Sequence, residues 1–144
     1  MTEPVVWQIA AGEYGRDYSD IFLKHNVMLI GPGDAGPFEE EKYRNLWKEG
    51  RIERGAFYEL RRFRNEPRPG EVVILRFRRD AVALGRIAEE GYKHNKRFDD
   101  VYGWDLQHTR RVVWQGLLKD DPIGGSIREM LFANRGYRLS LIHI

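Results

Sequence analysis

The chain has 144 residues, a length that fits one domain with a hydrophobic core of its own. Its net charge of +2 excludes a global nucleic-acid signature, although arginines cluster locally. Because cysteine is absent, a disulfide framework and a thiolate metal site are excluded. Neither a signal peptide nor an apolar stretch of the roughly 20 residues that span a bilayer is visible, so we expect a soluble cytoplasmic protein.

The first half of the chain is predicted to contain two strands and three helices. Two short apolar runs predict buried strands, at Val5–Ala10 and Val27–Ile30. Between them, Tyr18–His25 is predicted to be a helix that ends at a left-handed Asn26. The Gly31–Asp34 sequence predicts a turn. The apolar spacing from Phe38 to Phe63 predicts two helices, divided at Gly50.

The second half is predicted to be mostly strand. Apolar and β-branched runs predict three further strands, at Glu71–Phe77, Ala81–Ala88 and Thr109–Gln115. We expect a hairpin turn at Arg78–Asp80, a polar and basic loop over Tyr92–Asp100, a turn at Gly103–Asp105, and a last helix over Pro122–Phe132. About five strands with interspersed helices indicate an α+β fold, either a small barrel or a strongly bent sheet.

The C-terminal residues Leu139–Ile144 read LSLIHI. The string matches the translation of a transposon-end adapter used in sequencing libraries, and we interpret it as a non-native tail. We therefore expect a single domain over residues 1–138 and a natural chain that continues beyond Arg138. The alternative is an ordinary terminal apolar strand.

Catalysis is not predicted for this chain. It contains no H-E-x-x-H, G-x-S-x-G, Walker A or G-x-G-x-x-G motif and no cysteine nucleophile. Asp99, Asp100 and Asp105 could form a carboxylate cluster for a metal, but we favour turn capping as their role. We expect no metal, no cofactor and no enzymatic activity.

Recognition groups are concentrated between Phe98 and Trp114. Trp104 lies in a turn between polar residues, where it is either partly exposed over a pocket or a plug at one end of the barrel. Asp105 offers an acceptor to the amine of a nucleobase, unless it caps its own turn. Of Gln107 and His108, one should face inward by strand alternation, and a histidine there is more often a structural hydrogen-bonding group than a titrating catalyst.

A second wall of a pocket is predicted from the Tyr14–Ser19 loop, which contains Tyr14, Arg16 and Tyr18. Two aromatic rings, a guanidinium and the free N–H groups of a helix start suit a base and its phosphate. The alternative is that Tyr18 packs against the helix as a hydrophobic staple. Gly31 and Gly33 would let a flat ligand approach the backbone closely.

Basic side chains near these loops are the candidate phosphate contacts. Lys93 and Arg97 lie in the basic loop, where the alternative is a merely solvated charge. Arg110 and Arg111 occupy adjacent strand positions and point to opposite faces. Only one of them can line the pocket, and the other is a surface charge or a phosphate contact.

Three segments together resemble the PUA-like superfamily: the VWQIA start, the IGPGD turn, and GWDLQH followed by RRV. The resemblance is strongest to its EVE and YTH group, especially to the N-terminal modified-DNA-binding modules of McrB-type restriction proteins. It covers most of residues 5–116 and implies a small bent β-barrel of about five to six strands flanked by helices. The helical stretch from Phe38 to Phe63 is the part that matches least well.

The resemblance also implies a function. Several members of the superfamily flip a modified base into an aromatic-walled pocket. We therefore expect a non-catalytic reader of a modified, methylated base in DNA, the targeting domain of a modification-dependent restriction or defence protein that is fused to a nuclease or NTPase domain. The alternatives are an RNA-binding PUA-like module and a protein or small-ligand interaction domain whose own side chains fill the pocket.

The expected site has two groups of residues. The base-binding group is Trp104, Asp105, Gln107, His108, Tyr14, Tyr18, Ser19, Gly31 and Gly33. The phosphate-binding group is Arg16, Lys93, Arg97, Arg110 and Arg111.

Overall fold

A curled half-barrel sheet flanked by three α-helices forms the part of the chain that the structure, a computed structural model, describes. That part is residues 5–13, 15–122 and 140–144, without the side chains of residues 13, 116–122 and 140–143. The α+β class expected from the sequence is confirmed.

The strands are β1 Val5–Ala10, β2 Gly12–Glu13, β3 Arg16–Asp17, β4 Val27–Ile30, β5 Val72–Phe77, β6 Asp80–Ile87, β7 Lys93–His94, β8 His108–Pro122 and β9 Ser140–His143. The α-helices are α1 Ser19–His25, α2 Glu40–Lys48 and α3 Arg54–Asn65, and a 3-10 helix spans Lys96–Phe98. The main sheet has the order β4-β8-β6-β5-β1-β9, with β7 also paired to β8, while β2 and β3 form a separate ribbon. β1 is parallel to β5 and to β9, and the other pairs are antiparallel.

Strand β8 joins the parts of this sheet. Its first residues, from His108 to Arg111, pair with β4, and the stretch from Val112 onward pairs with β6. It is longer than the predicted Thr109–Gln115 strand, because its pairing with β6 continues through two bulges to Pro122. Pro122 is therefore strand, and the rest of the predicted Pro122–Phe132 helix lies outside the described residues.

The ends of α1 and α2 lie where the sequence predicts them. Asn26 ends α1 with φ 53° and ψ 52°, the left-handed conformation expected of it. Gly50, at φ 76°, separates α2 from α3 as predicted. The Tyr92–Asp100 segment differs from the expected plain loop. It contains β7 and the 3-10 helix, and it buries Phe98 edge-on against the ring of His25.

Two hydrophobic clusters hold these elements together. The main cluster lies between the sheet and α1 and includes Trp7, Phe22 and Leu75. A second cluster lies between α2 and α3 and is centred on Tyr43 and Phe57. Such burial is the main stabilising contribution to a fold of this size.

The C-terminal residues pack as an ordinary strand. β9 is parallel to β1, and the Ile144 N–H donates to the Gln8 carbonyl at 2.9 Å. The side chain of Ile144 is buried in the main cluster. This is the arrangement of the alternative interpretation, whereas the adapter origin of the segment and a continuing natural chain stay predictions.

Arg110 tethers α3 to β8. The side chain is only 4% exposed, and its Nη1 and Nη2 donate to the carbonyls of Phe63 at 3.1 Å and Pro67 at 2.7 Å. A cation there satisfies acceptors at and beyond the C-terminal end of a helix. The phosphate contact expected of Arg110 is therefore corrected, because its guanidinium is enclosed by the protein. Arg111, the next residue, is exposed.

We expect Arg110→Met to lower the free energy of unfolding by roughly 2 to 4 kcal/mol, because buried carbonyl acceptors lose a charged donor. The matched control is Arg111→Met, one residue away on the other face, which should change stability by no more than about 0.5 kcal/mol. Urea denaturation measures both. Equal effects of the two substitutions would contradict the tether.

Candidate functional site

The segment after the Trp104 turn lies against the turn of residues 31–34 that follows β4. Asp105 Oδ2 accepts the backbone N–H groups of Gly33 at 2.6 Å and Asp34 at 2.9 Å. Gln107 Nε2 donates to Asp34 Oδ1 at 2.7 Å and to Asp105 Oδ1 at 3.0 Å. Both carboxylate oxygens of Asp105 are thus engaged inside the protein, where the residue caps the turn of residues 31–34 and not its own turn.

The two glycines of this turn are required by close packing of the chain against itself. A Cβ on Gly31 would lie 1.8 Å from the Asp105 carbonyl oxygen, and one on Gly33 would lie 2.6 Å from Gln107 Cβ. The expectation that Gly31 and Gly33 admit a flat ligand is corrected, since Asp105 and Gln107 already occupy that space.

His108 is fully buried at the centre of a hydrogen-bonded chain. Its Nε2 lies 2.7 Å from the Pro32 carbonyl, which can only accept, so Nε2 carries the proton. Nδ1 then accepts from the Tyr92 hydroxyl at 2.5 Å, and that hydroxyl oxygen accepts the Phe38 N–H at 2.8 Å. On the other side, Tyr43 Oη lies 3.4 Å from Nε2. The network connects β8 to the residues just before α2 and to α2 itself.

The electrostatics of this network keep its groups uncharged. Burial lowers the pKa of His108 to about 4, although the Pro32 carbonyl and the Asp105 charge act in the opposite direction. Burial also raises the pKa of Tyr43 and of Tyr92. His108 is therefore neutral near pH 7 with both ring nitrogens occupied, as in the structural role considered for it.

Trp104 ends a tight turn at the edge of the main cluster. Val101 and Trp104 exchange backbone hydrogen bonds of 2.7 and 3.0 Å. Tyr102 and Gly103 between them have φ of 51° and 91°, and positive values at both positions are typical of a type I′ turn. The Trp104 side chain is half-buried and packs on the main cluster. Its Nε1 is buried and finds no hydrogen-bond acceptor among the described residues.

The expected second wall is placed differently from the prediction. Tyr18 is buried in the main cluster with its ring 6.2 Å from that of Phe22, which corrects the expectation that it faces a ligand. Ser19 is also buried, and its N–H donates to Asp17 Oδ1 at 2.9 Å. Tyr14 lies outside the described residues.

The loop and the turn nevertheless meet, through Arg16 and Tyr102. Arg16 Nη1 donates to the Tyr102 carbonyl at 2.9 Å, and the Tyr102 hydroxyl donates to Asp20 Oδ2 at 2.7 Å. Tyr102 is 54% exposed. Tyr102 was not among the predicted site residues, although a tyrosine before glycine in a short turn is a signal for an exposed aromatic residue.

The remaining basic candidates are on the surface. Lys93 in β7 and Arg97 in the 3-10 helix are exposed. Arg111 is exposed beside Glu90, with 3.9 Å between Nε and Oε2. His94, next to Lys93, is half-buried and donates from Nε2 to the Gly33 carbonyl at 2.7 Å. The exposed cations Lys93, Arg97, Arg111 and Arg16 remain available to an anion, whereas the guanidinium of Arg110 is enclosed by the protein.

Comparison with known proteins gives no relative: no protein family, no curated protein and no solved structure matches the chain. Within residues 5–13, 15–122 and 140–144, no helix is long and apolar enough to cross a membrane. The same residues include no group of three or more His, Asp or Glu side chains that could hold a metal ion.

We expect Gly33→Ala to lower the free energy of unfolding by about 1 to 3 kcal/mol, because the new methyl group overlaps Gln107 Cβ and must push the two loops apart. Gly91→Ala is the control, since nothing lies within 4 Å of the added Cβ. Thermal or urea unfolding compares the two. A harmless Gly33→Ala substitution would show that the loops are not held in close contact.

The lowered pKa of His108 predicts a stability loss in mild acid. The unfolded chain takes up the proton first, so stability falls as pH drops below about 6.5 and levels off below about 4, with a total loss of roughly 3 kcal/mol. His108→Gln should remove this part of the pH dependence in urea unfolding between pH 7 and 4.

The pH series is best run in a His25→Gln background. Burial also lowers the pKa of His25, with smaller contributions from Arg97 and Lys24, and its titration would add to that of His108. Parallel pH profiles with and without His108 would refute the assignment.

Proposed function

We propose that this chain is a non-catalytic nucleic-acid-binding module that reads a modified, methylated base in DNA. It would serve as the targeting domain of a modification-dependent restriction or defence protein. The observation that carries the proposal is Trp104: a half-buried indole whose buried N–H lacks an acceptor among the described residues, on a turn that Arg16 contacts. The GWDLQH and IGPGD segments resemble the PUA-like superfamily, and this resemblance supports the same function.

The indole of Trp104 suits an extruded base in two ways. Its exposed part offers a stacking surface, and stacking on an aromatic side chain is worth about 1 to 3 kcal/mol per base. Its Nε1–H is a donor whose burial without a partner costs about 1 to 3 kcal/mol. A carbonyl oxygen or ring nitrogen of a base would relieve that cost. Because the N–H lies in the plane of the indole, the base that stacks on the ring and the acceptor of the N–H are separate groups of the nucleic acid, and together they would offset the few kcal/mol of unstacking.

The polar residues next to Trp104 support the site in this proposal instead of contacting the base. Asp105 and Gln107 bind the turn of residues 31–34, and His108 binds Pro32. A recognition group held by side chains with completed hydrogen bonds loses little conformational freedom on binding. Trp104 would thereby be preorganised.

Phosphate contacts fall to the exposed cations. Arg16 uses one guanidinium N–H on the Tyr102 carbonyl and keeps other donors for a phosphate beside the turn. Lys93, Arg97 and Arg111 would add contacts that carry no sequence information. Their small number suits a module whose formal net charge is only +2.

The methyl group itself contributes little to selectivity. Burying one methyl is worth about 0.8 kcal/mol, or roughly a fourfold change in affinity. A strong preference for a modified base would therefore require a pocket shaped to leave the unmodified base poorly packed. We expect a modest preference unless the base is enclosed on all sides.

The test is binding to matched DNA duplexes that carry 5-methylcytosine, 5-hydroxymethylcytosine, N6-methyladenine or no modification. One modified duplex should bind best, and Trp104→Ala should abolish that preference. Trp104→Phe keeps an aromatic face but loses the N–H, so it should lower affinity about tenfold. Unfolding curves of both variants serve as the folding control.

Two results would count against the proposal. Equal affinity of the wild-type protein for all four duplexes, unchanged in Trp104→Ala, would rule out modified-base reading. Tighter binding to an RNA of the same sequence, dependent on its 2′-hydroxyl groups, would favour the RNA-binding alternative.

A further inference from the structure

The exposed face of the α2–α3 pair carries a stack of arginines and aromatic rings. Tyr58 on α3 is 38% exposed and lies between two guanidiniums of the same helix, with the Cζ atoms of Arg54 and Arg61 at 5.6 and 4.9 Å from its ring centroid. These residues are four and three positions from Tyr58, so they share its side of the helix. We call Arg54, Tyr58 and Arg61, together with Trp47 of α2, the arginine–aromatic stack.

Packing beneath the surface holds the stack in place. The ring of Trp47 stacks on buried Phe57 at 5.7 Å, and the Arg54 Cζ lies 5.7 Å from the Trp47 ring. The Arg61 Cζ is also 5.7 Å from the Phe57 ring. The rings are thus anchored in the second hydrophobic cluster. The guanidiniums on them have fewer conformations to lose on binding.

A guanidinium beside a ring keeps several N–H donors for other partners, and Arg61 uses one of them, on Nη1, to donate to Glu40 Oε1. The edge of an arginine matches the paired oxygens of a phosphate. Among the described residues, no carboxylate lies within ion-pairing distance of Arg54. Glu40 is 3.1 Å from Arg61 and 3.6 Å from Arg44, so one carboxylate is shared by two cations. The surface therefore has an excess of positive charge.

We propose that the arginine–aromatic stack is a second nucleic-acid contact, which binds backbone phosphates regardless of sequence and base modification. This inference rests on the proposed function only in taking a nucleic acid as the partner. Excess charge alone would also suit an acidic protein. The rings beside the guanidinium edges favour a polyanion that carries flat bases next to its phosphates.

The stack is rigidly connected to the candidate site. Tyr43 of α2 lies 3.4 Å from His108 Nε2, and Arg110 binds the Phe63 carbonyl near the end of α3. Both contacts are to β8, the strand that follows the Trp104 turn. These contacts therefore hold the helical pair in one position relative to β8 and to the segment that precedes it.

The test uses Arg54→Gln combined with Arg61→Gln. The double variant should bind modified and unmodified duplexes about tenfold more weakly, with an unchanged ratio between them. The slope of log affinity against log salt should fall by about one for each lost phosphate contact. Arg54→Lys keeps the charge but not the planar edge, so its affinity should be intermediate.

The control is Arg86→Gln on β6, which removes one positive charge, as each single substitution of the stack does, at an exposed site outside both proposed surfaces. It should leave affinity and salt slope near those of the wild-type protein. Circular dichroism of every variant verifies that the helices are intact, which is expected for surface substitutions.

The outcomes separate the two proposals. Unchanged DNA affinity and salt slope in the double variant would overturn this inference, while a preference that depends on Trp104 would leave the proposed function standing. Weaker DNA binding by the double variant, with no preference for a modified duplex in the wild-type protein, would support this inference and contradict the proposed function. Binding of poly-glutamate that the double variant loses, with DNA binding unaffected, would overturn it in favour of an acidic protein partner.

Discussion

The Asp105 carboxylate, which accepts two backbone N–H groups of the turn after β4, is the interaction on which the central part of the structure depends. It holds two irregular segments so close that Gly31 and Gly33 have no room for a side chain. With the turn in that place, the Pro32 carbonyl can accept a hydrogen bond from His108 Nε2. Through His108 the same contact reaches α2 and the loop that carries Tyr92. The Asp105 carboxylate thus helps to position β4, β8 and the helical pair relative to one another.

The polar side chains between Trp104 and Arg110 therefore serve mainly to hold the protein together. Buried backbone groups in irregular loops need hydrogen-bond partners, and side chains supply them where no sheet ladder is available. Asp105, Gln107 and Arg110 all serve backbone or side-chain groups of other loops and helices. A sequence segment with many hydrogen-bonding side chains can therefore indicate a contact between loops as well as a ligand site. The groups still available to a ligand are those that this contact leaves exposed, Trp104 among them.

Local chemistry made much of the fold predictable. Apolar runs marked β1 and β4, and Asn26 and Gly50 marked helix ends because few residues tolerate positive φ. What failed depends on distant partners. The burial of Arg110 requires the end of α3 beside β8, and the length of β8 requires β6 as its partner. In the same way, Tyr102 gains a role only because Arg16 and Asp20 lie next to its turn, 86 and 82 residues away in sequence.

The placement of charge also explains how a chain with a net charge of +2 can be a candidate for nucleic-acid binding. Acidic and basic residues nearly balance over the whole molecule, so long-range attraction of a polyanion is weak. Affinity must then come from a few cations in defined positions, such as Arg54 on its aromatic support. Selectivity must come from another place, because phosphate contacts are the same for every base. In the proposed function, a helical surface for the backbone and an indole for the base would separate these two tasks, and both surfaces are connected to β8.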